Sequence, residues 1–515
     1  MITTLLAAFL ATAVVGDRPN VVVFMVDDMG WQDTSVPFHL ERTLFNDRYR
    51  TPGMERLAAE GMKLTNGYAS APVCTPTRTS LMTGRAPARN RITFWTLNRN
   101  SDTSGRHPTI KPPAWNVNGL QPGDLVLPEL LAAKGYRTIH VGKAHWGTHD
   151  TPGGDPTNLG FEVNVAGHAS GAPGSYYGTH RFKNAKDDAD FSKDSRWDVP
   201  GLERYHDRDI YLTEALQERA VEEIDRAVAD DVPFFLHFAP YAVHTPIMPN
   251  RRYLDGYPDL DPREAAYATM VESMDVALRE VLDALDRNGV ADETIVIFTS
   301  DNGGLSAHGR GGRPHTHNLP LNSGKGSAYE GGVRVPWIIR WPGVTEAGSR
   351  SEVPVVTHDL FPTILRATTG SEDVPGGRVI DGLNLRAVLG GDAPRVFSDR
   401  PIIFHQPHVW GPKGPGIWPF SGLRQGRWKL LYFHAGRRFE LYDLSTDVGE
   451  TRDLAAERPE VVDRLARVLG SWMREAGAQM SIDTNSGKPV EWPDQVRLSS
   501  DSPPRTKQGK QGKIR

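Results

Sequence analysis

The chain has 515 residues, of which 38% are hydrophobic and 24% charged, and its formal net charge is −4 at pH 7. These are values of a globular protein, so the composition excludes a largely disordered chain, and the small net charge favours neither a nucleic acid nor an anionic membrane as a partner. The length exceeds what one hydrophobic core usually serves, which predicts two domains.

Residues 1–16 have the pattern of an export signal. Residues 5–15 are apolar but too few to span a bilayer, and small residues at 11–13 and 15–16 offer cleavage points. The terminal amine is the only positive charge before this run, so a buried first strand is the alternative. Because residues 21–26 already supply that strand, we expect export to the periplasm or the medium. No other stretch is long and apolar enough for a membrane span.

Strand and helix patterns then alternate along most of the chain. A continuous β-branched run at its start is typical of a fully buried strand, and three helical patterns are each followed by another such run. The predicted strands are 21–26, 136–141, 234–238 and 294–298, and the predicted helices are 127–134, 211–228 and 263–288. This order predicts an α/β fold with a mostly parallel central sheet between layers of helices.

The C-terminal part has a different pattern. Residues 427–433 and 438–444 flank a short connection and predict a β-hairpin, and residues 461–472 predict a closing helix. We therefore expect a main domain at 17–375 and a smaller α+β domain with an antiparallel sheet at 376–498. The basic residues 499–515 are expected to form a disordered tail.

Polar side chains follow each of the four predicted strands of the main domain. In open α/β sheets ligands bind beyond the carboxyl ends of the strands, so these side chains are expected to share one site. A single Asp or Asn there is also explained by a turn or a helix cap, but four such strand ends together are not. The residues concerned are Asp27, Asp28, Lys143, His145, His244, Asp301 and Asn302.

Four of these residues carry only hard oxygen donors. Their motifs contain no cysteine or histidine, a pattern that favours Ca²⁺ or Mg²⁺ over zinc or copper. The four are Asp27, Asp28, Asp301 and Asn302.

Cys74 is the only cysteine, so it cannot form an intrachain disulfide. Pro76 at a first helical position and Thr75 as its cap predict a helix start, and a helix N-terminus attracts anions. The alternative is that Cys74 is a small buried hydrophobe, as most free cysteines are. Its polar, turn-rich surroundings favour a reactive position.

The run Cys-x-Pro-x-Arg at 74–78, followed by Ser-Leu-Met-Thr-Gly-Arg at 80–85, resembles the signature of type I, formylglycine-dependent sulfatases of the alkaline-phosphatase-like superfamily. Thr77 departs from the usual Ser or Ala. Gly-Lys-Ala-His at 142–145, His-Thr-Pro at 244–246 and the block 324–336 around Lys325 are also similar to that family. The likeness covers residues 19–345 well and the C-terminal domain only loosely.

The resemblance implies that Cys74 is converted to formylglycine by a formylglycine-generating or anaerobic sulfatase-maturating enzyme. It also implies one metal ion, Ca²⁺ in preference to Mg²⁺, held by the modified Cys74 and the four oxygen-donor residues. One hydroxyl of the hydrated aldehyde would attack sulfur, and His145 would later take a proton from the other to expel sulfate. Arg78 would brace the nucleophile, and Lys143 would hold sulfate oxygens. His244, aided by Lys325, would protonate the leaving alcohol.

Long loops supply candidate substrate residues. They could stack on a sugar or form hydrogen bonds with it, and ordinary loop packing is the alternative. Residues 91–97 and 167–168 resemble segments of bacterial polysaccharide sulfatases, which favours a sulfated carbohydrate, with a galacto-configured sugar as one candidate. The candidate residues are Trp95, His168, Tyr176, Tyr177, His308, His315 and His317.

Three other functions are compatible with parts of this pattern. The same superfamily hydrolyses phosphonate and phosphate esters. A chain with an unmodified Cys74 could bind sulfated glycans without catalysis. A thiol hydrolase using Cys74 with a histidine would leave the four oxygen-donor residues without a purpose.

Overall fold

A computed structural model describes residues 18–184, 194–411 and 413–496. The predicted export signal at 1–16 and the predicted tail at 499–515 lie outside the described residues. Among the described residues, no helix combines the length and apolar character that a membrane crossing requires.

The elements of the described ranges follow in chain order. The strands are β1 (Asn20–Val26), β2 (Met62–Leu64), β3 (Gly67–Tyr68), β4 (Ile110–Lys111), β5 (Arg137–Gly142), β6 (Val163–Val165), β7 (Phe234–Ala239), β8 (Thr294–Ser300), β9 (Trp337–Arg340), β10 (Ser349–Ser351), β11 (Val355–Val356), β12 (Ile402–Gln406), β13 (Phe420–Gln425), β14 (Trp428–Phe433), β15 (Arg438–Asp443) and β16 (Ile482–Asp483). The α-helices are α1 (Leu44–Arg48), α2 (Pro52–Glu60), α3 (Cys74–Thr83), α4 (Pro87–Asn90), α5 (Leu127–Ala132), α6 (Leu212–Ala229), α7 (Pro262–Arg287), α8 (Glu330–Val333), α9 (Leu360–Thr369), α10 (Arg386–Leu389), α11 (Arg395–Asp399) and α12 (Pro459–Glu475).

The main sheet has eight strands in the order β10-β2-β9-β8-β1-β7-β5-β6. Strand β1 lies at its centre and pairs in parallel with both β7 and β8, so that Val22 lies opposite Leu236 and Val296. Only the pairs that β9 makes with β2 and β8 are antiparallel within the described sheet. The predicted α/β fold with a mostly parallel sheet is confirmed.

Both faces of the central strand are buried, which explains its unbroken apolar sequence. Val22, Phe24 and Val26 belong to a core shared with α6 and α7. The intervening residues Val21 and Val23 point to the opposite face, into a core shared with α3, α5 and α9. Helices therefore cover the sheet on both sides and leave the ends of its strands as the place where polar groups gather.

The C-terminal part forms a four-stranded antiparallel sheet in the order β12-β13-β14-β15. The predicted hairpin is present as β14 and β15, with Phe433 opposite Arg438. The apolar side of α12 packs on one face of this sheet, where Leu465 contacts the same core as Leu430. This arrangement confirms the predicted small α+β unit.

The other face of the small sheet packs against the main domain. Phe404, Leu431 and Tyr442 share a core with Tyr68 of β3 and Val333 of α8. The chain between the two sheets also contacts the main domain, because α10 and α11 place apolar residues in the core of the large sheet. The division at residue 375 stays a prediction.

A buried ion cluster joins the two parts of the chain. The Nζ atom of Lys429 lies 2.9 Å from a carboxylate oxygen of Glu330 and 3.0 Å from one of Glu450, and the three side chains are shielded from solvent. Burial raises the pKa of Glu450 to about 8, with Glu330 adding to the effect and Lys429 opposing it. The ammonium of Lys429 therefore pairs with two buried acids at this junction, and the guanidinium of Arg334 adds a second contact to Glu330 at 3.3 Å.

Replacing Lys429 by Met should destabilise the protein strongly. Removing one partner of a buried ion pair leaves an uncompensated charge, which typically costs about 3–5 kcal/mol. The midpoint of thermal unfolding measures the effect, with Lys488→Met, at an exposed lysine, as the matched control. Equal melting temperatures for the two variants would contradict this account of the junction.

Candidate active site

Four neighbouring strands of the large sheet, β8, β1, β7 and β5, end at the same edge. The structure brings together there the polar residues that follow them, and it adds the start of α3 and the loop before α8. The side chains that meet are Asp27, Asp28, Cys74, Arg78, Lys143, His244, Asp301, Asn302 and Lys325.

Cys74 is the first residue of α3, with Val73 in extended conformation as the N-cap. The prediction that Thr75 caps this helix is wrong. Its hydroxyl instead accepts a hydrogen bond from the backbone N–H of Thr96 and lies 3.1 Å from Nε2 of His145. Pro76 is thus the third helical residue, where its missing N–H costs nothing because the first four have no intrahelical partner.

The thiol of Cys74 is buried, as a small hydrophobe would be, but its neighbour is an acid. Its Sγ atom lies 3.7 Å from Oδ1 of Asp27, and only 3% of the residue is exposed. Position 74 therefore faces the polar cluster at the end of β1.

Three buried cations are paired with three buried carboxylates around this position. The Nζ atom of Lys143 donates to both oxygens of Asp27, at 2.8 and 2.7 Å. Lys325 lies 2.6 and 2.8 Å from the two oxygens of Asp28. The Nε atom of Arg78 donates to Asp301 at 2.7 Å, and its Nη1 atom donates to the backbone oxygen of Lys143 at 2.8 Å.

Burial and pairing act in opposite directions on the pKa values of Asp27 and Asp28. Burial alone would raise the pKa of Asp28, but the ammonium of Lys325 and then His244 hold it below the usual range. For Asp27, burial dominates and Asp301 adds to it, so its pKa lies well above the usual value in spite of Lys143. Burial therefore disfavours the charged form of Asp27, whereas the neighbouring cations stabilise that of Asp28.

Two histidines flank the ion pairs with defined orientations. The Nδ1 atom of His244 lies 2.8 Å from the backbone oxygen of Thr245, so it carries the proton, and Nε2 faces Asp28 at 3.6 Å. For His145, Nε2 lies 2.8 Å from the backbone oxygen of Thr96 and Nδ1 is buried without a partner among the described residues. Burial, then the nearby lysines, lower the pKa of both rings.

Four side chains at this site form a group that could hold a metal ion. Asp27, Asp28, Cys74 and His244 each place one ligand atom within 4.8 Å of the others. Asn302 donates through Nδ2 to Asp28 at 2.8 Å, whereas its Oδ1 is buried and accepts no hydrogen bond within the described part of the chain. A buried carbonyl oxygen without a donor, beside carboxylates, is what an oxygen-binding metal ion satisfies.

The predicted substrate residues lie at varied depths. His308 is an exposed residue. Partial burial of its ring, and then the charge of the nearby Lys325, lower its pKa. His315 packs against Gly414, and His317 is buried with Nε2 2.6 Å from the backbone oxygen of Gly311. This contact gives His317 a structural partner.

The remaining candidates come from the loops around 95 and 168–177. Trp95 is partly exposed beside Phe94, and His168 is also partly exposed, with its ring in contact with those of His149 and Tyr241. Tyr176 is fully buried and donates to the backbone oxygens of Tyr241 and His244, so the interpretation of Tyr176 as a sugar contact is wrong. Tyr177 donates to the backbone oxygen of Pro249.

Trp410 is the residue at this site that the sequence analysis missed. It follows β12, in the part of the chain assigned to the C-terminal domain, and its ring centroid lies 5.3 Å from Nζ of Lys325. No motif marks it, and only the packing of the small sheet against the main domain brings it here.

Comparisons with known proteins identify the family of the chain. The sulfatase family model matches residues 19–371, and the model of the N-sulphoglucosamine sulphohydrolase C-terminal region matches residues 324–475. The chain is 33% identical to N-acetylgalactosamine-6-sulfatase of Canis lupus familiaris, over 79% of this chain and 72% of the relative. It is 29% identical to a sulfatase of Formosa agariphila, over 96% of this chain and 95% of that protein.

Solved structures share the fold. The crystal structure of Ps i-CgsB in complex with k-i-k-neocarrahexaose has a TM-score of 0.72 and 27% identity, and covers 88% of this chain and 93% of that one. The phosphonate monoester hydrolase of Agrobacterium radiobacter has a TM-score of 0.59 at 20% identity, covering 91% of this chain and 97% of that one. The chain belongs to the sulfatase family. It is accordingly a sulfuric ester hydrolase, as its sequence motifs indicate.

Replacing Arg78 by Lys should lower kcat/KM for an aryl sulfate by roughly a hundredfold to a thousandfold. A guanidinium bridges Asp301 and the backbone of Lys143 with two fixed N–H groups, and an ammonium cannot reproduce that fork. Arg89→Lys is the control, because Arg89 also pairs with a carboxylate, Asp381, outside this cluster. Similar activities for the two variants would show that the bridge is not needed.

Proposed function

We propose that this protein is an exported sulfatase that removes a sulfate ester from a carbohydrate, using a formylglycine made from Cys74 and a bound Ca²⁺. The observation that carries the proposal is the position of Cys74 at the start of α3, 3.7 Å from Asp27, where Lys143 and Lys325 also converge. A nucleophile made there would meet a sulfate group surrounded by fixed positive charge.

The names of the relatives support a carbohydrate substrate. The N-acetylgalactosamine-6-sulfatases, about a third identical to this chain, are named for a galacto-configured sugar. Ps i-CgsB, at 27% identity, was crystallised with a neocarrahexaose. We therefore favour a sulfated galacto-configured sugar. Export rests on residues 1–16, and it would bring the enzyme to extracellular polysaccharide.

The modification is supported by the residues around the thiol. Cys74, Pro76 and Arg78 are the positions that a maturating enzyme reads in this family, and all three are intact. The partner would be a formylglycine-generating or an anaerobic sulfatase-maturating enzyme, acting before the chain folds, because position 74 is buried in the folded protein.

The metal would be held by Asp27, Asp28, Asp301 and Asn302 together with position 74. Ca²⁺ is preferred to Mg²⁺ because it is the usual occupant of this site in the family that the sequence motifs resemble, and oxygen donors suit either ion. When present, formylglycine would supply the attacking hydroxyl and Ca²⁺ would polarise a sulfate oxygen.

The chain's own cations would bind and orient the sulfate. Lys143 and Lys325 are buried and already fixed by carboxylates, so little reorganisation is needed when charge develops on the sulfate oxygens. Arg78 would hold Asp301 and the backbone at Lys143 in place through its two donated hydrogen bonds.

The two histidines would move protons on opposite sides of the site. His244 is fixed through Nδ1, which leaves Nε2 facing the cluster, and the ring protonated on both nitrogens would deliver the Nε2 proton to the departing alcohol. His145 is fixed through Nε2, and its buried Nδ1 has no partner among the described residues, so it can accept a proton from the group at position 74. Because His244 is held through Nδ1 and His145 through Nε2, we propose different roles for the two rings.

Mass spectrometry of the tryptic peptide ending at Arg78 tests the modification. After co-expression with a maturating enzyme, the peptide should have the mass of the aldehyde or its hydrate, and sulfatase turnover should rise in proportion to the converted fraction. Cys74→Ala, expressed in the same way, should show no turnover. Full activity of a preparation whose peptide retains the thiol would overturn the proposal.

Ca²⁺ should raise the melting temperature of the Cys74→Ala protein, and more than Mg²⁺ at equal concentration, because binding to the native state alone stabilises it. Asn302→Leu in the same background should abolish most of the shift by removing the free Oδ1. Asn158→Leu, at an exposed asparagine, is the control. An unchanged Ca²⁺ shift in Asn302→Leu would exclude Asn302 as a ligand.

A panel of sulfated monosaccharides and oligosaccharides, with aryl sulfate and aryl phosphonate esters alongside, tests the reaction. We expect the highest kcat/KM on a sulfated galacto-configured sugar. Faster turnover of the phosphonate than of every sulfate would instead favour the phosphonate hydrolase alternative.

A further inference from the structure

Trp410 lies at the border of the ion pairs, although it belongs to the segment that follows β12. Its ring is partly exposed, and its centroid lies 5.3 Å from the buried ammonium of Lys325. Lys325 is itself bound to Asp28. The indole therefore stands next to the place where a sulfate group would be held.

The segment 407–411 is fixed on both sides, so the ring is positioned before any ligand arrives. The imidazole of His408 lies between the hydroxyls of Thr93, at 2.7 Å, and Ser104, at 2.8 Å. The backbone oxygen of Val409 accepts a hydrogen bond from the N–H of Gly105 at 2.9 Å.

The chain next to Lys325 is shaped to the same ring. Gly326 has a φ of 81°, and a Cβ atom at this position would collide with the indole of Trp410. Further along, Ser327 donates to the backbone oxygen of Pro415 at 2.8 Å. The loop that carries Lys325 and the segment that carries Trp410 therefore pack directly against each other.

Other aromatic side chains connect Trp410 to the residue before position 74. Trp410 packs in one cluster with Trp95, Phe94 and Trp115, and the cluster includes Val73, the residue before Cys74. Trp95 is also partly exposed. Two partly exposed indole rings thus share one apolar cluster with the residue before Cys74, and one of them, Trp410, lies beside Lys325.

We infer that Trp410 forms an aromatic wall of the substrate pocket, on which the sugar ring that carries the sulfate ester stacks. A pyranose has hydroxyl groups at its rim and C–H bonds on its faces, so it matches a polar cluster beside an aromatic surface. In a galacto-configured ring the axial hydroxyl leaves three neighbouring C–H bonds on one face, which suits a flat indole. The inference rests on the proposed function and adds that the C-terminal part of the chain completes the sugar site.

The test separates a sugar contact from an effect through Lys325. Trp410→Ala should raise KM for a sulfated galactose about tenfold, the loss expected for one aromatic contact. Inhibition by inorganic sulfate should stay within about twofold of the native value, because the ion pairs that hold sulfate are untouched. Trp410→Phe, which keeps a ring, should recover most of the affinity.

Trp418→Ala is the matched control. Trp418 is a partly buried tryptophan later in the same connection, but its ring packs against His107. It should leave both KM and the inhibition by sulfate unchanged, and the melting temperatures of all variants report their folding.

The outcomes are distinct. A native KM in Trp410→Ala, or a parallel loss of sulfate inhibition that shows an effect through Lys325, would overturn the inference and leave the proposed function standing. A native enzyme that cleaves aryl sulfates but neither binds nor cleaves any sulfated sugar would overturn both.

Discussion

Charge compensation inside the protein is the constraint on which the site depends. Three carboxylates are buried where β1 and β8 end, and Lys143, Lys325 and Arg78 neutralise them through contacts of 2.6–2.8 Å. Ions taken out of water in this way are tolerated only when each has a close partner. Since the partners come from five separate segments, the ion pairs also fix where those segments lie, and so where Cys74 faces.

The sheet supplies the rigidity that this arrangement needs. Strand β1 is buried on both faces and paired with a parallel strand on each side. The backbone of the two aspartates that follow it is therefore held in a fixed position. Asp28 and His145 both have positive φ values, of 62° and 56°. Residues other than glycine adopt this conformation at a cost of about 1–3 kcal/mol, and it persists where surrounding contacts hold it, as functional groups often require.

How far the sequence predicts the structure depends on whether the signal is local. The strands, the hairpin at 427–444 and the polar residues at strand ends are visible because they follow from periodicity and from one rule about parallel sheets. The helix start at Thr75 was wrong because its hydroxyl binds partners around 96 and 145, which a local capping rule does not include. Trp410 was missed for a similar reason, since only the docking of the small sheet brings it to Lys325.

The packing of the small sheet against the main domain links changes in that sheet to the position of Lys325. Its inner face packs on Tyr68 and Val333, and Lys429 holds Glu330 five residues after Lys325. The loop that carries Lys325 is therefore held in place by contacts with the small C-terminal sheet. A change in β14 that breaks the contact of Lys429 with Glu330 would therefore reach the loop of Lys325 as well as lower the stability, although it lies outside the ion pairs around position 74.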